Sequence, residues 1–295
     1  MLASLGNTEP RLLAFILGAC FGSFLNVCVA RWPRDESVVS PRSRCPRCGH
    51  EIAWYENLPL LSWVALRARC RGCREPISVV YPLVELVVAL GWLAAVVQFG
   101  PTFTALRVAV FGTVLLGIML TDASHYVIPD GFTVFGLLWA LVAAIGAFLL
   151  GHLDQSMLFA GVKEAVLGAC VGAGLIAIIG WLGEVALKRE AMGFGDVTLM
   201  AMVGAYLGPG RAMLTVFLGA LLGAVIFVPL GYLVAWVERG RAGDQLELSL
   251  GRRRLVVPHV PFGVFLAPAA MIALLWGPQL ISWYIDHLAP GLREL

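Results

Sequence analysis

Gly193-Phe194-Gly195-Asp196-Val197-Thr198-Leu199 sets an ionisable carboxylate at the head of an apolar run. A charge within a membrane helix costs roughly 2.5–3.5 kcal/mol on insertion scales, so such a residue faces a polar cavity or a reactive site. Gly193 and Gly195 remove side-chain bulk just before the Asp and let another backbone come close. One carboxylate alone carries little. Asp122, at the end of another apolar run, is the candidate partner, provided both runs lie in a membrane at the same depth.

Composition answers the first condition. The 295 residues are 59% hydrophobic and 14% charged, with a mean hydropathy of +0.85. A soluble domain carries about 25% charged residues. Apolar runs fall at 12–30, 79–99, 104–121, 131–150, 164–187, 197–208, 212–237 and 262–286. Most reach the roughly 18–20 residues that cross a bilayer core. The fold class expected is an all-α polytopic membrane protein of about eight transmembrane helices, with 197–208 the shortest of them. Glu9 and Arg11 precede the first run without a basic leader or a small-residue cleavage site, so Leu12–Ala30 reads as a retained helix.

Lys and Arg answer the second condition, because they concentrate in cytoplasmic loops. With the N-terminus outside, the inside segments 31–78, 184–196 and 238–261 hold sixteen Lys and Arg, against four outside: Arg11, Lys163, Arg211 and Arg293. The 122–130 connection also falls inside, so Asp122 and Asp196 share the cytoplasmic face. Three parts are expected: residues 1–30 as a first transmembrane helix, 31–78 as a small cytoplasmic domain, and 79–295 as the transmembrane remainder. In the 238–261 loop, Leu246, Leu248 and Leu250 alternate before a basic Arg252-Arg253-Arg254 turn, the pattern of a short hairpin or of a solvated loop beside anionic lipid. No nucleic-acid partner is expected; the partner surface is the bilayer.

The 31–78 segment is too short to build much of a core and calls for a metal or disulfides. Cys45-Pro46-Arg47-Cys48 and Cys70-Arg71-Gly72-Cys73 supply two C-x-x-C knuckles. Two short turns presenting two thiolates each suit one tetrahedral ion, zinc by preference. Disulfides or a redox pair are the alternatives. A reducing cytoplasmic position disfavours the first, and two matched knuckles exceed what a redox motif needs. Four thiolates leave no open coordination position, so the role is structural. His50 is then spare. Cys20, Cys28 and Cys170 lie singly in apolar runs as small hydrophobes.

Asp122 meets the negative end of its helix dipole, a poor structural position, whereas Asp130 follows Pro129 at the favourable start of the next helix. Two carboxylates within a few Å cannot both ionise cheaply and share a proton. The protonated one then polarises a peptide carbonyl while the ionised one activates water, which is aspartyl-protease chemistry. The same pair would also serve an ion-coupled transporter, or be dispensable in a non-enzymatic component of a secretion assembly. Inverted repeats or paired broken helices would favour a transporter, and the sequence has neither. H-E-x-x-H is absent, and Lys163 and Lys188 are poor suppliers of a Ser–Lys dyad. Glu164 and Glu184 read as helix-end residues. Glu85 lies deeper, with Asn26 or Arg107 as candidate partners.

Gly193-Phe194-Gly195-Asp196 is the G-x-G-D motif of intramembrane aspartyl proteases. With Asp122, Ile128-Pro129-Asp130, Gly22-Ser23-Phe24-Leu25-Asn26-Val27, the paired C-x-x-C, Tyr81-Pro82-Leu83-Val84-Glu85 and Pro261-Phe262-Gly263, the chain resembles the bacterial type IV prepilin peptidases. Preflagellin peptidases and presenilin-like proteases share the G-x-G-D idea; the preflagellin enzymes lack the cysteine segment. The resemblance implies an inner-membrane endopeptidase that cuts the basic leader from type IV prepilins, or from type II secretion pseudopilins, after a Gly at the cytoplasmic face. It further implies N-methylation of the new N-terminus with S-adenosylmethionine, for which the sequence offers no nucleotide-type glycine loop of its own. By the same resemblance Asp122 and Asp196 are the catalytic pair and Cys45, Cys48, Cys70 and Cys73 the zinc ligands. The chain departs from the pattern at Thr198, where the family usually has Lys, and at Ala68, where a Gly commonly precedes the second knuckle.

Overall fold

The computed structural model describes residues 8–149, 158–188, 192–241 and 261–288. The helices are α1 (Thr8–Arg31), the short α2 (Leu61–Ala65), α3 (Val80–Phe99), α4 (Phe103–His125), α5 (Asp130–Leu149), α6 (Val162–Leu187), α7 (Phe194–Leu207), α8 (Pro209–Arg241) and α9 (Gly263–Leu288). All but α2 fall on the eight apolar runs. Seven are long and apolar enough to cross a membrane, which makes the chain a multi-pass membrane protein. The exception is α7. Its 14 residues rise about 21 Å at 1.5 Å each, short of the ~30 Å hydrocarbon core. The expected count of about eight spans therefore becomes seven plus one short inserted helix. Leu246, Leu248, Leu250, the Arg252-Arg253-Arg254 turn and Arg293 lie outside the described residues.

Small residues are buried at the helix seams, while many large apolar side chains face outward. Ala89, Ala140, Ala165, Ala205, Ala212 and Ala270 are completely buried, whereas Leu12, Leu83, Leu138, Trp181 and Phe217 are exposed. Lipid gives no hydrophobic drive between helices, so close packing of small side chains holds them. On α1, Gly18 and Gly22 meet the α3 backbone; a Cβ on Gly22 would stand 2.7 Å from Glu85 Cα. On α6, Gly168 and Gly172 form a G-x-x-x-G face against α7, and a Cβ on Gly168 or Gly204 would collide with the carbonyl of the other. The short α7 is thus clamped by α6 on one side and packs on α5, α8 and α9 on others. Around it Leu199, Met200, Met202, Val203 and Tyr206 are fully buried. Tyr206 stacks on Phe111 of α4 with ring centroids 4.2 Å apart.

Between α1 and α3 the polar segment folds on two matching turns. Cys45 N–H donates to His50 O at 2.9 Å and Cys70 N–H to Glu75 O at 2.8 Å; Gly49 N–H returns to Cys45 O and Arg74 N–H to Cys70 O, both at 2.9 Å. Each turn closes on a left-handed residue, Gly49 (φ +72°) in the first and Arg74 (φ +60°) in the second. Isolated antiparallel bridges, Arg44–Glu51 and Arg69–Pro76, tie the two bases.

Candidate active site and metal centre

Asp122 occupies the last turn of α4. The helix stops at Tyr126, whose left-handed conformation (φ +56°) returns its N–H to Asp122 O at 3.0 Å. Asp196 occupies the first turn of α7, after Gly193 at the N-cap, and its N–H donates to Gly193 O at 3.2 Å. The two side chains are 5% and 9% exposed and each lies within the other's electrostatic reach. The sequence pairing of two distant carboxylates at one end of the bundle is therefore what the fold provides. Asp122 Oδ2 accepts the Val264 N–H at 3.1 Å from the first turn of α9. Asp196 Oδ1 is buried with no hydrogen-bond donor in reach among the described residues.

Three residues shape the walls of this site. A Cβ at Gly195 would lie 2.9 Å from Ile128 Cβ, so the space beside that glycine is filled by the chain's own α4–α5 connection. A Cβ at Gly193 would meet nothing closer than 4.0 Å among the described residues, so that side is open to them. A Cβ at Gly263 would stand 2.8 Å from Asp122 Oδ2 and 3.0 Å from Ile128 Cδ1. Neither Ile128 nor Gly263 carries a reactive group; their sequence traces are the Ile128-Pro129-Asp130 and Pro261-Phe262-Gly263 motifs. Thr198 turns its hydroxyl back to Gly195 O at 3.0 Å. Asp130 sits in the first turn of α5 as expected.

The four cysteines converge. Their sulfurs all lie within 4.8 Å of one another, with Cys45–Cys73 at 3.8 Å and Cys48–Cys70 at 3.9 Å. A disulfide needs about 2.05 Å. A tetrahedron with metal–sulfur bonds near 2.3 Å has edges of about 3.8 Å, so the cluster fits a metal ion. Backbone N–H groups of Cys48 and Arg47 pull the Cys45 thiol below its ordinary value, while desolvation and its sulfur neighbours push Cys73 up, as expected of thiols crowded together.

His50 is spare as a ligand, but it has work. Its Nε2 lies 3.1 Å from Glu56 Oε2, while Arg71 Nη1 lies 3.2 Å from Glu56 Oε1. Glu56, from the first turn after the first knuckle, thereby joins His50 of one knuckle to Arg71 of the other. The Ala53 N–H, 3.1 Å from Oε2, heads the contacts that hold its carboxyl below the usual range, with His50 and Arg71 adding to it. Glu85 is bound by neither Asn26 nor Arg107. Its Oε2 accepts the Leu60 N–H at 2.7 Å, Asn26 donates to Tyr81 O at 3.1 Å, and Arg107 lies 4.0 Å over the Phe159 ring. A main-chain donor such as the Leu60 N–H leaves no mark in residue types.

Two family profiles match the chain. One, described as the bacterial peptidase A24 N-terminal domain, covers residues 16–99. The other, described as the type IV leader peptidase family, covers 109–228 and includes both aspartates. A prepilin leader peptidase/N-methyltransferase of Myxococcus xanthus is 39% identical over 90% of this chain and 90% of its own length. The chain belongs to the type IV leader peptidase family. Other members carrying the same name come from Aeromonas hydrophila (35% identical, 97% of this chain and 99% of the relative) and Pseudomonas aeruginosa (34%, 93% of each). No solved structure matches this family member. The boundary between the profiles falls after α3, so the cysteine segment and its two flanking helices form one profile unit.

Proposed function

We propose that this leader peptidase cleaves the basic leader from type IV prepilins, and from pseudopilins of type II secretion, with Asp122 and Asp196 as the catalytic pair. The observation that carries the reading is the meeting of two buried carboxylates from α4 and α7 at one end of a membrane bundle. A peptidase is favoured over a transporter because the relatives that span the whole chain bear that name.

The chemistry follows from the pair. One proton is held between the two carboxylates. The ionised carboxylate takes a proton from water as its oxygen attacks the scissile carbonyl, and the protonated one donates a hydrogen bond to the carbonyl oxygen. Collapse of the tetrahedral adduct breaks the C–N bond, and the leaving amine takes a proton from the pair. The open side at Gly193 receives the extended leader. The positive-inside bias puts this end of the bundle, and the 31–78 domain, on the cytoplasmic face of the inner membrane. A prepilin, itself a membrane helix with a basic cytoplasmic leader, presents its scissile bond at that depth.

Zinc is the ion that suits Cys45, Cys48, Cys70 and Cys73, in a closed structural site. N-methylation of the new N-terminus completes the activity, S-adenosylmethionine supplying a methyl group activated by a sulfonium. Purified full-length protein in detergent, given a prepilin, tests the core of the reading. Asp122→Asn and Asp196→Asn each lower cleavage by roughly 10³-fold or more, as expected of groups that act as a unit. Cleavage retained by either variant overturns the role given to that residue.

A further inference from the structure

A cavity of about 520 Å³ lies between the cysteine module and the ends of α1 and α3 that face it. That size falls in the range of small-molecule sites, roughly 300–1,000 Å³. Its lining is unusual for a membrane protein. Glu85 contributes a carboxylate only 9% exposed from within the α3 span. Arg31, which also donates to the Ser37 and Pro41 carbonyls, and Arg71, which also pairs with Glu56, bring guanidinium groups with further N–H donors; Trp63 and Tyr81 bring aromatic rings, Asn26 an amide, and Glu56 and Glu75 further carboxylates.

Glu85 is the residue that needs explaining. An acid set into a membrane helix is costly and marks a functional position. Its hydrogen bond from the Leu60 N–H holds the carboxylate in place, and Leu60 takes a positive φ (+62°) where it meets that carboxylate. One N–H uses a fraction of the acceptor capacity of a carboxylate. Among the described residues, Glu85 is in no ion pair. A cationic ligand entering the cavity would supply one.

We infer that this cavity is the binding site for S-adenosylmethionine, with Glu85 facing the sulfonium and the guanidinium groups facing the methionine carboxylate. The inference rests on the methyltransferase part of the proposed function and locates it. The ligand has a positive sulfonium, a carboxylate and a flat adenine; the cavity offers an acid, arginines and aromatic rings. The cavity is linked to the aspartate end partly by packing and partly along the backbone. Arg31 lines the cavity, and Trp32, next along, packs edge-on against Phe132 at 4.4 Å and over Gly131 at the start of α5. Three residues earlier, Ile128 touches both Gly195 and Gly263. In the transfer, the neutral N-terminal amine of the cut substrate forms a bond to the methyl carbon as the carbon–sulfur bond breaks. The sulfur leaves as a neutral thioether, and the nitrogen sheds its extra proton to water.

Equilibrium dialysis of the full-length protein against S-adenosylmethionine and against S-adenosylhomocysteine, the neutral thioether, tests the assignment without any turnover. In Glu85→Gln, the ratio of affinities shifts by about tenfold toward the neutral thioether. A purely structural role for Glu85 would weaken both ligands alike. Ultraviolet crosslinking of radiolabelled S-adenosylmethionine to the wild type, followed by peptide mapping, labels Trp63 or Tyr81 and decides the matter even if the variant does not fold. An unchanged ratio in folded Glu85→Gln, or labelling confined to peptides around Asp122 and Asp196, overturns the site. Failure of the wild type to bind S-adenosylmethionine at all overturns the methyltransferase reading, while prepilin cleavage is judged separately by the aspartate variants.

Discussion

The backbone N–H of Val264 reaches Asp122 Oδ2 at 3.1 Å across 142 residues of sequence. It comes from the first turn of α9, where unsatisfied N–H groups and the positive end of the helix favour a carboxylate. The contact is possible because residue 263 is Gly. A methyl group there would stand 2.8 Å from the same oxygen and displace it. Gly263→Ala should therefore leave the bundle folded and lower prepilin cleavage by about 10²-fold, the scale of a 1 Å misplacement of a reacting group. Rates measured beside thermal unfolding would check it. A variant that cleaves at the wild-type rate would show that Asp122 is not positioned from α9.

The α6–α7 seam makes a different demand. Gly168 and Gly204 touch backbone to backbone, with no room for a Cβ on either. Because α7 is too short to be gripped along a full span, loss of this seam frees Asp196 at its N-terminus. Gly204→Ala should lower stability by roughly 1–3 kcal/mol, the usual cost of overpacking. Cleavage falls with it, in contrast to Gly263→Ala, where activity is lost and stability kept. Unfolding temperatures of the two variants side by side separate the effects.

Much of this architecture is legible in the residues because the bilayer simplifies the problem. A span must be long and apolar, so the runs at 79–99 and 131–150 match α3 and α5 closely. Reactive groups stand out by their cost, which is why Asp122 and Asp196 can be picked from a chain this apolar. The matched C-x-x-C spacing likewise names its own convergence. What escapes is anything carried by backbone or by shape. Gly263 and Ile128 have no chemistry to betray them, the donor to Glu85 is a main-chain N–H, and the short length of α7 looks like a weak eighth span until Gly168 and Gly204 are seen in contact. Glu56, too, belongs to no motif, and its place shows only in its contacts with His50 and Arg71.

Glu56 links the two knuckles, and its removal should loosen them. In Glu56→Gln the carboxamide cannot satisfy the Ala53 N–H, His50 and Arg71 together, so the module unfolds at lower temperature than in the wild type. The pH dependence has a definite sign. The Glu56 carboxyl is held below its ordinary value in the folded state. Its contribution is therefore complete above the unfolded value of about 4.3 and fades as pH falls through the lower folded value. The difference in unfolding temperature between wild type and Glu56→Gln should be constant from pH 7 to 5 and narrow below about pH 4. A gap that is already small at pH 7 would mean the carboxylate does not bind the knuckles together.

The metal cluster should matter to the cysteine module and little to the helices behind it. Nine arginines lie between Arg31 and Arg74, and within the module Arg44, Arg47 and Arg71 are tied into ion pairs with Glu51, Glu75 and Glu56. On the proposed zinc site, a segment this small would keep its shape through an ion held by its four thiolates. Cys48→Ser, or treatment with a strong chelator, should release about one zinc per chain and open 31–78 to rapid cleavage by trypsin. The helical circular dichroism of α3–α9 stays, because their packing rests on small-residue seams such as Gly168–Gly204 and not on the cysteines. Trypsin resistance that persists after the metal has gone would show that the knuckles hold themselves together by their backbone turns alone.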